Sequence, residues 1–205
     1  MTGVFFGRIV IRPYEVSATN SNLSNSIIRL KARRNVRRAF CVYYTREMEM
    51  KRNWKTYLFW IALAEGVGAL AGWLTRDGTA IYKEFVEKPA LAPPALVFPI
   101  VWGILYALMG FGAARVSLTE PSPARSLGLN LWTAQLVVNF FWSLIFFNLR
   151  AYGFALLWLG LLWVLILWMI FAFRQTDRLS AWLQLPYLLW VSFAAYLNWG
   201  VWVLN

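Results

Sequence analysis

Three stretches of this chain combine aromatic rings and carboxamides at helical spacing. Pro99, Trp102, Tyr106 and Ala113 follow at steps of three, four and seven, which places them on one face of a helix. Gln135, Asn139, Trp142 and Phe146 form a second stripe of this kind, and Tyr187, Trp190, Ala194 and Asn198 a third. Rings supply flat apolar walls and amides a few oriented donors and acceptors, the combination that suits a flat, conjugated or steroidal ligand. The same residues also permit a plainer arrangement, in which amides bond one another between helices and rings fill a core. Convergence of three such faces favours a pocket. Its candidate lining is Pro99, Trp102, Tyr106, Asn139, Trp142, Tyr187, Trp190 and Ala194.

Other chemistry is excluded by what the chain lacks. It has no histidine, so there is no imidazole to ligate haem iron or zinc and no Ser-His or Cys-His pair. Cys41 is the single cysteine and permits neither an intramolecular disulfide nor a cysteine metal cluster. No acid/base constellation is visible, so binding is expected rather than dedicated catalysis, and no resident cofactor or metal. Glu65 is the one carboxyl deep within an apolar segment. At that depth an ionisable side chain is a functional candidate by default. The competing expectation is a protonated or paired Glu65 bonded to an amide or indole N–H.

The stripes lie on long apolar segments. Trp54–Thr75, Val97–Val116, Leu127–Leu149, Tyr152–Phe173 and Ala181–Leu204 each run about 20 residues or more, enough to cross a hydrocarbon core of about 30 Å. All thirteen tryptophans fall between Trp54 and Trp202. With 60% hydrophobic residues and a mean hydropathy of +0.53, the chain is too apolar for a soluble domain of its size. The expected architecture is all-α: one integral membrane domain, residues 51–205, built as a five-helix transmembrane bundle. Trp54, Trp73, Trp182 and Trp202 sit near segment ends, where indole favours the membrane interface. Trp158, Trp163 and Trp168 are spread around the fourth segment and are expected against lipid or neighbouring helices. Gly68 and Gly72 offer a small-xxx-small surface for close packing of helices or subunits.

The formal charge of +11 is unevenly placed. Residues 1–55 hold twelve Lys/Arg against Glu15, Glu47 and Glu49, whereas the remainder holds eight Lys/Arg against six Asp/Glu. Nucleic-acid binding therefore explains the chain poorly. A basic flank that keeps the first helix on the cytoplasmic side explains it better, with the 76–96 loop outside. Residues 1–50 read as a basic, disordered extension: an Arg-rich targeting segment for an organelle membrane, or residues ahead of a natural start at Met48 or Met50 in a bacterial cell membrane protein. Residues 76–96 read as a charge-balanced loop stiffened by Pro89, Pro93 and Pro94, suited to capping a cavity mouth.

From Lys88 to Gly110 the sequence KPALAPPALVFPIVWGILYALMG resembles the signature of the tryptophan-rich sensory protein and translocator protein family (TspO/MBR, also called peripheral-type benzodiazepine receptor). The likeness continues through AQLVVNFFWSLIFF and LPYLLWVSFAAYLNWGVW and covers residues 58–205. The resemblance implies a five-helix bundle, often a homodimer in the bilayer, with a pocket open toward the Pro-rich loop. It implies binding of porphyrins such as protoporphyrin IX, and in animal members cholesterol and synthetic isoquinoline carboxamides or benzodiazepines. Light-dependent breakdown of protoporphyrin IX and tetrapyrrole-linked stress regulation are implied from bacterial members. The family's pocket positions fall on Trp102, Tyr106, Asn139, Trp190 and Ala194, in agreement with the spacing. The alternative is a transporter of tetrapyrroles or sterol-like lipids, although no internal repeat supports it. Some positions depart from the family. Ala92 and Ala95 replace the loop histidines of animal members, and Leu91 and Leu96 replace loop tryptophans. No Lys or Arg follows Trp199, so weak cholesterol recognition is expected.

Overall fold

The computed structural model describes residues 53–205. The expected extension at 1–50 lies outside the described residues. The rest is helical: α1 (Trp54–Leu74), α2 (Arg76–Phe85), α3 (Val97–Ser117), α4 (Pro123–Ser143) continued by a π-helical turn (Leu144–Asn148), α5 (Tyr152–Thr176), α6 (Arg178–Trp182) and α7 (Leu185–Leu204). Five apolar spans result, Trp54–Leu74, Val97–Ser117, Pro123–Asn148, Tyr152–Thr176 and Arg178–Leu204, each long enough to cross a membrane. A helix bonds its own backbone groups, which a chain in lipid requires.

Three boundaries differ from the sequence expectation. The 76–96 segment is not all loop. Its first part forms α2, because Ile81, Tyr82 and Phe85 recur at helical spacing among charged residues and give it one apolar face. The third span begins earlier than Leu127, since the Ser122 hydroxyl accepts the Arg125 N–H at 3.1 Å and Pro123 opens the helix. The fifth is broken. Asp177 caps the short α6, and α7 starts afresh at Leu185 with Pro186 in its first turn, where a missing N–H costs nothing.

Close helix contacts depend on glycine. A Cβ at Gly110 of α3 would stand 2.5 Å from the Ile61 Cα and 2.6 Å from the Trp60 carbonyl oxygen of α1, so the two backbones touch there. Gly68 of α1 faces the Tyr106 ring of α3. Its small size thus serves packing within the chain, while Gly72 has open space around it. α4 packs on α5 and α5 on α7, completing the bundle. The core includes Trp132, Met109, Leu159, Leu162, Ile166, Met169 and Phe173.

Several indole N–H groups bond across helices. Trp132 donates to the Met109 carbonyl at 3.1 Å, Trp158 to the Val138 carbonyl at 2.8 Å and Trp163 to the Ser192 hydroxyl at 3.0 Å. Trp54, Trp73, Trp182 and Trp202 are exposed near span ends, where an interfacial indole would sit.

Candidate functional site

A cavity of about 990 Å³ opens at the end of the bundle where α2 and the Pro-rich segment lie. That volume is at the upper end of ligand sites. Pro99, Trp102 and Tyr106 of α3 line one side, Trp142 and Phe146 of the third span another, and Trp190 and Ala194 of α7 a third. The three stripes therefore converge. Trp102 and Tyr106 rings are 5.5 Å apart, and Trp142 stacks on Phe146 at 5.3 Å with planes 28° apart. Phe98 meets Trp190 edge-on at 6.0 Å.

Two predicted residues lie behind this lining rather than in it. Asn139 is buried, and its Nδ2 donates to the Tyr106 hydroxyl at 3.0 Å. Tyr187 is fully buried; its hydroxyl donates to Gln135 Oε1 at 2.8 Å, and its ring stands edge-on to Trp102 at 6.1 Å. Both orient the side chains in front of them. The Trp142 indole donates to Asn198 Oδ1 at 3.3 Å, and Asn198 Nδ2 donates to the Tyr152 carbonyl at 2.8 Å. Each amide thus pairs with an aromatic residue of another helix. This merges the two arrangements the sequence allowed: amides join helices and, in doing so, fix the rings that wall a cavity. Trp190 differs, because its buried Nε1 has no hydrogen-bond partner among the described residues.

Phe147, Thr79, Tyr82, Lys83 and Lys88 also line the cavity, although none belongs to the three aromatic–amide stripes. Tyr82, Lys83 and Thr79 reach it through α2, the helix not foreseen. Phe147 follows from the π-helical turn. There the Leu149 N–H bonds the Leu144 carbonyl at 3.1 Å, an i to i+5 bond that carries an extra residue into the turn. Glu65 also lines the cavity, and no hydrogen bond joins its carboxyl to another described residue.

The cap is fastened at both ends. Gly78 of α2 lies against the Phe147 carbonyl oxygen, 2.5 Å from where its Cβ would be, and Asn148 Nδ2 donates to the Leu74 carbonyl at 3.0 Å. The Glu87 N–H donates to Asn205 Oδ1 and Asn205 Nδ2 returns a bond to the Glu87 carbonyl, both at 3.1 Å. Pro89 rests on Gly200, where a Cβ would come within 2.8 Å of the ring.

At the other end of α3, Arg115 makes a two-pronged ion pair with Asp177, at 2.7 Å from Nε and 2.9 Å from Nη2. Asp177 also accepts the Ser180 N–H at 3.1 Å and the Ser180 hydroxyl at 2.6 Å. Burial alone would raise the Asp177 carboxyl; the bonds from Arg115 and Ser180 outweigh it and hold the pKa at about 2.

Five apolar spans bordering an aromatic cavity define a multi-pass helical membrane protein. The chain belongs to the TspO/MBR family, whose profile matches residues 60–203. It is similar to the tryptophan-rich protein TspO of Chlorobaculum tepidum, 34% identical over 76% of this chain and 99% of that protein. It is also similar to the human translocator protein, 38% identical over 68% of this chain and 85% of the relative. The tryptophan-rich sensory protein of Cereibacter sphaeroides is 33% identical over 76% of this chain and 95% of its own length.

Proposed function

We propose that this protein is a membrane receptor for flat porphyrin-type tetrapyrroles, bound in the cavity walled by Trp102, Tyr106, Trp142, Phe146, Trp190 and Ala194 and closed by Pro99 and the Pro-rich cap. The observation that carries this reading is the cavity itself, large enough for a macrocycle and bordered by rings on three sides. Stacking would supply most of the affinity. The unpartnered Trp190 N–H is available to a polar substituent, since leaving it buried and unbonded is costly. Asn139 and Tyr187 act as positioning residues through Tyr106, Gln135 and Trp102. Under light, excited bound porphyrin would pass its energy to dioxygen, and the walls would direct addition of the activated oxygen to the bound ring, so that dioxygen is the oxidant and the porphyrin is oxidised. Tetrapyrrole-linked stress signalling would follow from occupancy.

A tryptophan-fluorescence titration of detergent-purified protein with protoporphyrin IX, in darkness and then in light, tests this. Saturable quenching that weakens at least tenfold in Trp102→Phe/Trp190→Phe is the expected result, with a light-driven spectral change lost in the same variant. Folded protein that shows no saturable quenching overturns the reading. The name translocator protein, borne by mammalian relatives, supports a second reading as a carrier, which directional flux into proteoliposomes would establish. The functional unit is proposed to be a homodimer with the cavity mouth outside a bacterial cell membrane, checked by mass measurement in native detergent and by labelling single cysteines from each side.

A further inference from the structure

The cavity changes character along its length. Trp102, Trp142 and Trp190 wall its deeper part, while the exposed residues that border it include Arg76, Lys83 and Lys88. Lys88 is held in place: Nζ donates to the Lys83 carbonyl at 2.9 Å and lies 5.4 Å from the centre of the Tyr82 ring. An ammonium group has three donors, so two remain. Burial, with the nearby Tyr152 phenol, pushes the Tyr82 phenol up, so the ring beneath this cation stays neutral.

The aromatic surface is continuous from there inward. Tyr82 meets Phe146 at 5.5 Å, and Phe146 stacks on Trp142. A flat ring lying on this wall would have one edge beside Lys88 and Lys83. The acidic residues of the same segment do not compete for that edge. Asp77 is beside Arg76 at 3.4 Å, and neither Glu84 nor Glu87 lines the cavity. Glu65 is the one acid among the lining residues, and it lies ten residues before Thr75 on α1, about 15 Å along the helix from this rim.

We propose that Lys83 and Lys88 form an anion-recognising rim that selects flat ligands carrying carboxylates on one edge and sets them acid edge outward. Charge-assisted bonds at the rim and stacking below it make the site amphipathic, so a neutral ring of the same shape binds less well. This rests on the cavity being the ligand site, as proposed above.

The test compares protoporphyrin IX with its dimethyl ester by fluorescence quenching in uncharged detergent, for wild type and Lys83→Gln/Lys88→Gln. The acid is expected to bind wild type about tenfold more tightly than the ester, the worth of one or two charge-assisted contacts. The variant should lose that preference because its affinity for the acid falls far more than its affinity for the ester, and added salt should weaken the acid selectively. Equal affinity of wild type for acid and ester, or an equal loss for both ligands in the variant, overturns the rim assignment and leaves the cavity reading standing. Saturable binding of neither ligand overturns both.

Discussion

The two ends of α3 solve opposite problems. Around Arg115 the bundle closes on a bidentate ion pair, an N-cap and a glycine, with Gly112 pressed against the Gln184 amide. Around Trp102 it stays open, and its polar groups are spent on holding rings at the border of a cavity. One end keeps the helices together; the other keeps them apart. Stability and ligand affinity should therefore be separable, with mutations at each end moving mainly one of them.

The largest effect is expected at the closed end. Asp177→Asn leaves the Arg115 guanidinium largely uncompensated and should cost about 3–4 kcal/mol of stability in detergent unfolding. Porphyrin affinity of the folded fraction should not change. Loss of binding by well-folded Asp177→Asn would show instead that the ends act as one unit. Replacing both partners, as Arg115→Met/Asp177→Leu, should recover most of the loss, because no charge is then stranded.

At the open end the balance reverses. Trp102→Ala removes a half-buried ring from the lining and should lower porphyrin affinity about tenfold or more, while stability falls by only about 1 kcal/mol. Acid sharpens the contrast. The Asp177 carboxyl is held at about 2 against an ordinary 3.8, so its contribution is complete above pH 4 and is lost as pH falls toward 2. A melting series should show about 1–2 kcal/mol of destabilisation across that window. In Asp177→Asn this component should be absent. The smallest effect belongs to the cap: Asn205→Ala removes the paired bonds to Glu87, costs about 0.5–1 kcal/mol and should speed ligand release in stopped-flow displacement.

The open end was the more legible in the sequence, because ring and amide recur at steps that a helix turns into a face. Trp102, Tyr106, Trp142, Trp190 and Ala194 were found in this way. Asn139 and Tyr187 share those faces but end one layer behind the wall, since spacing gives the direction of a side chain and not its depth. Lys83 and Lys88 are not legible as site residues in the sequence, because balanced charge and downstream prolines mask the short amphipathic helix α2. The Arg115–Asp177 pair joins residues 62 positions apart and leaves no periodic trace at all.

The π-helical turn at Leu144–Asn148 holds one residue more than an α-helix would need over the same rise. Deleting a single residue there would let the third span run on as a regular α-helix, and every position beyond the deletion would swing by about 100°. Phe147 would leave the cavity wall, and Asn148 would lose its reach to Leu74. In evolutionary terms the register of this turn is a hinge of descent: a one-residue length change at this point would re-aim the aromatic wall more thoroughly than any single substitution.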